Sequence, residues 1–336
     1  ESAAALGEDL LVRLRGPVAV AGTALNVRAS IGLTLAPAGE NPDPDALLQH
    51  ADLALYEAKG AGRGIARYFS SELQSEQEDR VRLETDLRAA IAGKQFHLAF
   101  QPLVNAKDQK LVGFEALIRW NHPQRGLVPP NVFIPVAEEA GLMPVIGEWV
   151  IDEACKAAAT WPEPITVALN ISPKQIGLPN LPNVVSEALA RHRLAGNRIE
   201  LEVTEGVFLG DNGSTLDVLK RLRALGVGIA LDDFGTGYSS IGYLNKAVFH
   251  KLKIDGSFVR EAGSRPENVA IIQSIVQLAK SFRMSVTAEG VETAEDFERM
   301  RELGCDTIQG YLFGKPLSYE RANQMVVGLG AKRMAG

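Results

Sequence analysis

Hydrophobic and polar positions change period several times along this chain. Leu25–Leu35 (LNVRASIGLTL) is rich in β-forming residues and reads as a strand. The loop APAGENPDPD follows, with Asp43 or Asp45 placed to cap a helix. Ala46–Lys59 then sets Leu47, Leu48, Ala51, Leu53, Leu55 and Tyr56 close to a helical stripe, which Gly60 ends. Between Ser71 and Gly93 charged residues dominate, and Leu83, Leu87 and Ile91 recur at i, i+4 and i+8. That is the spacing of an amphipathic helix, and a domain junction is expected just before it, near residues 69–80.

After Gln95 short strand-like runs alternate with helical ones. The strand candidates are FHLAFQPLV, LVGFEALIRW, ITVALNIS, RIELEVTE, VGIALDDFG, KLKIDG, SVTAEGV and TIQGYL. Helical stretches at Val145–Ala159, Leu181–His192, Ser214–Leu225, Asn268–Ser281 and Ala294–Leu303 lie between several of them. Eight strands interspersed with helices over about 240 residues predict an α/β fold, a TIM-like (β/α)8 barrel. The six residues NAKDQK between the first two strands are too few for a parallel crossover, so those two strands are expected to be antiparallel neighbours.

Composition narrows the chemistry. The 336 residues are 46% hydrophobic and 23% charged, ordinary for a globular chain with a sizeable core. A formal net charge of −6 argues against binding a nucleic-acid polymer, whose partner would carry a basic excess. No apolar run is long enough to span a bilayer, so no membrane contact is expected in this chain. The opening ESAAALGEDLLVRLRG lacks the basic and apolar regions of a secretory signal. A chain that starts at Glu1 rather than Met is expected to be a piece of a longer one, with any membrane anchor upstream. Cys155 and Cys305 are too few for a disulfide framework, which fits a reducing cytoplasm. None of the five histidines pairs at i, i+4, so a metal site would be built from carboxylates and amides, whose oxygens favour Mg2+ or Mn2+.

Polar residues at strand ends are where barrel chemistry lives. Glu115 sits mid-strand among Phe114, Leu117, Ile118 and Trp120, a costly place for a carboxylate unless it is paired or metal-bound. Alternation puts Glu115, Leu117 and Arg119 on one face, so an ion pair with Arg119 is the competing reading to a metal ligand. Asp232 and Asp233 end a strand and converge only if the chain leaves the sheet there, which Gly235 and Gly237 permit. Two adjacent carboxylates would repel unless a divalent cation neutralises them. Asn170 is either a ligand or a turn-forming asparagine. Glu202 reads as a ligand, Glu205 as a loop partner, and Glu200 as solvated or salt-bridged. Lys253, facing a bed of carboxylates, would fix a nucleophilic water or screen a phosphate. Glu289 completes the ring. The set suits a two-metal site for in-line displacement at phosphorus, with Arg119 donating to a phosphate oxygen.

FEALIRW (114–120), NISPKQ (170–175), ELEVTEG (200–206), DDFGTGYSS (232–240), KLKID (251–255), AEGVET (288–293) and QGYLFGKP (309–316) together resemble the EAL-domain phosphodiesterases. The resemblance covers residues 79–328 and implies a barrel with one antiparallel strand that hydrolyses cyclic di-GMP to linear pGpG. It implies two Mg2+ or Mn2+ ions, with Ca2+ inhibitory, and a homodimer formed through the barrel. Glu115, Asn170, Glu202, Asp232, Asp233 and Glu289 match its metal ligands, and Lys253 the residue at the catalytic water. Glu205 matches the residue that holds the DDFGTGYSS loop. Gln101, Leu117, Arg119, Asp255, Glu292, Gln309 and Pro316 match substrate contacts. Residues 1–70 resemble the closing part of a GGDEF diguanylate cyclase domain, through SIGLTL (30–35) and ADLALYEAKGAGRG (51–64), with 71–78 as linker. Lys59 and Arg63 match phosphate-contacting positions there, but the GGDEF signature is missing, so cyclase activity of this piece is not expected. Val248, His250 and Gly256 stand where the EAL family usually shows Pro, Asp and Arg. A non-catalytic cyclic di-GMP receptor is the alternative, and receptors of that kind typically lose ligands that are all present here. An enolase-like barrel is a third reading, less suited to Asp232, Asp233 and Arg119.

Overall fold

A computed structural model describes the chain apart from residues 1, 15, 21–22, 27, 37–42, 209–212, 236–243, 245–247 and 335–336. It divides into two compact units, Glu1–Asp86 and Leu87–Gly336.

The first unit holds helix α1 (Ser2–Leu14), the antiparallel hairpin of β1 (Pro17–Val20) and β2 (Thr23–Asn26), and β3 (Ile31–Leu33). The single strand expected over Leu25–Leu35 is thus two strands in different sheets, with Val27 outside the described residues. Helix α2 (Pro44–Gly60) crosses to β4 (Ala66–Tyr68), which pairs parallel with β3. Of the two capping candidates Asp43 is the cap, accepting from the Asp45 amide at 3.1 Å with Pro44 as first helical residue. Gly32 is required here, because a Cβ on it would lie 2.0 Å from the Ala51 carbonyl oxygen of α2. The amphipathic stretch is helix α3 (Ser71–Ala92).

The second unit is a closed barrel. Its eight strands are β5 (Phe96–Asn105), β6 (Leu111–His122), β8 (Thr166–Asn170), β9 (Ile199–Thr204), β10 (Gly228–Phe234), β11 (Lys251–Ile254), β12 (Ser285–Ala288) and β13 (Thr307–Gln309). β6 and β8–β13 run parallel, and β5 closes the ring antiparallel to both β6 and β13. The antiparallel start foreseen from the six-residue NAKDQK connection is therefore present. A short β7 (Gly126–Val128), absent from the sequence reading, adds a ninth strand to β6.

The crossovers are α4 (Pro130–Glu139), α5 (Met143–Thr160), α6 (Pro173–Ile176), α7 (Leu181–His192), α8 (Ser214–Ala224), α9 (Gly256–Glu261), α10 (Pro266–Ser281) and α11 (Ala294–Leu303), with α12 (Tyr319–Met334) last. Helices α7 and α11 have the bounds their apolar stripes predict. The side chains between sheet and helices form the core: Phe114, Trp120, Ile151, Val167, Leu201 and Leu252 are fully buried. Arg198 ties this layer together, its guanidinium donating to the carbonyls of Ile165 at 2.6 Å and of Ala158 and Trp161 at 2.9 Å.

No crossover helix joins β5 to β6. The outer face of β5 lines a cavity of about 830 Å3 with Trp149 of α5 and Tyr319 of α12.

Candidate active site at the mouth of the barrel

Barrel interiors are normally filled with branched aliphatic side chains. Here the inward positions of successive strands are polar and buried: Gln101, Glu115, Glu202, Asp232, Lys253 and Gln309. Register brings them level, with Gln101 opposite Glu115 and Asn170 opposite Glu202.

Lys253 is the hub. Its side chain is 1% exposed, and Nζ lies 2.5 Å from Glu289 Oε1, 2.6 Å from Glu202 Oε2, 3.4 Å from Asp232 Oδ2 and 4.0 Å from Glu115 Oε2. Burial alone would strip its proton, but the carboxylates outweigh it and hold the ammonium well above its ordinary range. It does not snorkel.

The carboxylates respond unequally. Burial pushes Glu202 well up, with help from Glu115 and Asp232 against the pull of Lys253. Burial likewise lifts Glu289 to about 8. Glu115 goes the other way. Burial raises it too, but Lys253 and the amide donors Gln309 and Asn170 together bring it below the ordinary range. Asn170 Nδ2 donates to Glu115 Oε1 at 2.6 Å, and Gln309 Nε2 donates to Oε2 at 2.5 Å and to Gln101 Oε1 at 3.1 Å. The alternative of a Glu115–Arg119 ion pair is not what forms, since Arg119 instead donates to the Ile118 carbonyl at 2.9 Å.

Asp232 and Asp233 do converge. Asp233 has φ 54°, the left-handed region, and the pairing of β10 with β11 slips between Leu231 and Phe234. The turn-back is made by Asp233 itself together with Gly235 at φ 98°, while Gly237 lies outside the described residues. As a result one oxygen each of Asp232, Asp233 and Glu289 lies within 4.8 Å of the others. Burial and Asp232 raise the Asp233 carboxyl. Glu202 Oε1 is buried with no hydrogen-bond partner among the described residues. An unpartnered carboxylate oxygen beside three clustered oxygens fits a set of hard donors for divalent cations.

Glu205 opens a 3-10 turn after β9, and its Oε1 accepts from the Gly235 amide at 3.3 Å. The rest of the loop it is expected to hold, 236–240, lies outside the described residues. Glu200 is buried, with Lys251 Nζ and His250 Nε2 each at 2.7 Å; burial opposes its ionisation, but the Lys251 ammonium and the contact with His250 bring its carboxyl down to about 2.

A cavity of about 280 Å3 opens beside the cluster. Gln101, Glu115, Leu117, Asp255, Glu289, Glu292 and Gln309 line it, five of them residues matched to substrate contacts. Arg119 and Pro316 are not among its lining residues. Gly256, Arg260, Gly290, Gly310 and Tyr311 are; Gly256 stood out in the sequence as a departure, Gly290, Gly310 and Tyr311 only as members of AEGVET and QGYLFGKP, and Arg260 not at all. The departure at Gly256 was the available signal.

Residues 84–316 match the EAL domain, with the acidic cluster inside the match. The chain belongs to the EAL domain family. Residues 1–64 match the diguanylate cyclase GGDEF domain ahead of the EAL barrel. Among curated relatives, the bifunctional diguanylate cyclase/cyclic di-GMP phosphodiesterase MucR of Pseudomonas aeruginosa is 39% identical over 95% of this chain and 47% of its own length. The cyclic di-GMP phosphodiesterase NbdA of the same organism is 36% identical over 93% of this chain and 40% of its own length. The chain thus spans under half the length of these relatives. A solved structure of the P. aeruginosa MucR phosphodiesterase in complex with c-di-GMP superposes with a TM-score of 0.69 at 42% identity, covering 72% of this chain and 99% of that one. No helix among the described residues is long and apolar enough to cross a membrane.

Proposed function

We propose that the EAL barrel of this chain hydrolyses cyclic di-GMP to linear pGpG. The observation that carries the reading is the ring of buried Glu115, Glu202 and Asp232 and half-buried Glu289 around Lys253, with Glu202 Oε1 unpartnered among the described residues. Glu115, Asn170, Glu202, Asp232, Asp233 and Glu289 would hold two divalent cations, Mg2+ or Mn2+. When bound, the cations activate water and neutralise charge developing on the phosphate. The chain's own residues supply position. Lys253, braced by Glu202 and Asp232, orients the attacking water. Gln309 and Asn170 keep both oxygens of Glu115 in place. Arg119, two pleats beyond Glu115 toward the end of β6, donates to a phosphate oxygen. Gln101, Leu117, Asp255, Glu292, Gln309 and Pro316 receive the rest of the dinucleotide. Water adds to phosphorus as one P–O3′ bond breaks, and the released oxygen takes the proton.

The catalytic unit corresponds to residues 79–328, preceded by a cyclase-like fragment over 1–70, and works in the cytoplasm as a barrel-mediated homodimer. The test is incubation with cyclic di-GMP and Mg2+ or Mn2+, with products separated by chromatography. Linear pGpG, lost on chelation, supports the reading; binding without any turnover would favour the receptor.

A further inference from the structure

The EAL resemblance at Gly256 is broken by a missing side chain, and the cavity shows what occupies that space. Helix α9 starts at Gly256, and Arg260 follows four residues later, on the same helix face. Side chains on a helix lean back toward its N-terminus, so Arg260 folds over the turn that Gly256 leaves bare. A Cβ on Gly256 would lie 2.7 Å from Arg260 Nη1, and one on Gly290 2.8 Å from the same nitrogen. The guanidinium rests between two glycines and lines the cavity with Asp255, Glu289 and Glu292. Among the described residues it forms no ion pair within 4.0 Å, although it is near enough to Asp255 to favour that carboxylate.

The ligand chemistry follows from its neighbours. A phosphate is poorly served by a wall carrying Asp255 and Glu292, whose charge would repel it. A guanine is well served: its N1–H and 2-amino group need acceptors, and its O6 and N7 need donors. Asp255 Oδ1 is already committed, accepting from the Ser257 amide at 2.9 Å and from the Ser257 hydroxyl. Oδ2 and Glu292 remain to accept, and Arg260 is the donor. We infer that Arg260 reads the O6/N7 edge of one guanine, taking up from one helical turn further on the space that Gly256 vacates. This rests on cyclic di-GMP being the ligand.

The test is titration calorimetry of the full chain in Ca2+, where turnover does not confuse binding. Cyclic di-GMP is compared with its analogue in which both N7 atoms are replaced by C–H. The wild type is expected to prefer the natural ligand by about tenfold, the scale of a bidentate arginine–guanine contact. Arg260→Ala should remove most of that preference, and so should Gly256→Ala, which keeps the arginine but displaces its tip. Undiminished preference in Arg260→Ala overturns the inference, as does equal weakening toward both ligands. A wild type that binds neither ligand refutes the cyclic di-GMP reading itself.

Discussion

Replacing Lys253 with methionine keeps most of the side-chain volume and deletes the ammonium. Four carboxylates then face one another, three of them within 3.4 Å of where Nζ lay, in a site largely closed to solvent, Glu202 being 1% exposed and Glu289 20%. In chelator the ring must bind one more proton to recover the net charge it had with Lys253. Protonating a carboxyl of ordinary pKa 4.5 at pH 7 costs about 3 kcal/mol, from 2.5 pH units at about 1.4 kcal/mol each. That agrees with the roughly 3–5 kcal/mol for breaking a buried ion pair by removing one partner. The sign with pH follows. The variant's carboxyls sit above their unfolded pKa, so its deficit should be largest at pH 7 and shrink toward pH 5. Added Mn2+ should stabilise the variant more than the wild type, because a cation replaces the lost one. The three tryptophans, Trp120, Trp149 and Trp161, all lie in the barrel unit, so urea unfolding followed by their fluorescence reports on the barrel. Equal stability of variant and wild type in chelator at both pH values would refute the argument that Lys253 neutralises this ring.

Glu115→Ala should abolish hydrolysis while far-ultraviolet dichroism stays native; a rate above roughly a tenth of wild type would count against its place in the site. Turnover in Mn2+ or Mg2+ should fail in Ca2+, whose looser coordination spoils in-line geometry, and brisk hydrolysis in Ca2+ alone would contradict the two-cation reading. Glu200, held at about 2 by Lys251 and His250, should contribute up to about 3 kcal/mol above pH 4.5, lost as pH falls toward 2. The stability gap between wild type and Glu200→Gln, read by urea titration, should therefore close on acidification. Arg198→Leu removes three hydrogen bonds to buried carbonyls and should lower the barrel's melting temperature by several degrees, measured by calorimetry.

The eight barrel strands, the antiparallel start and the five expected crossover helices were all legible because each depends on local pattern: period-2 runs, 3.6-period stripes and one connection too short to cross over. The acidic residues were legible as candidates for the same reason, being polar in apolar company. What local pattern could not decide was which of them meet. The direction of Asp233 depends on a positive φ and a slipped register between β10 and β11, a property of two strands at once. Glu115, Asn170 and Gln309 lie on separate strands, and only closure of the barrel makes two of them hydrogen-bond donors that, after Lys253, help lower the carboxyl of the third. Lys253 is expected to face carboxylates, but that Glu115, Glu202, Asp232 and Glu289, from three other strands and the loop after β12, converge on its one nitrogen is decided only by the closed barrel. Arg260 lay in an exposed, charged stretch of a short helix and had no signature of its own. Its place in the cavity comes from two glycines, Gly256 and Gly290, 34 residues apart in sequence and so close that a Cβ on either would lie 3.3 Å or less from the Cα of the other. Side-chain type and local period are written residue by residue, whereas proximity between strands is created only when the sheet closes.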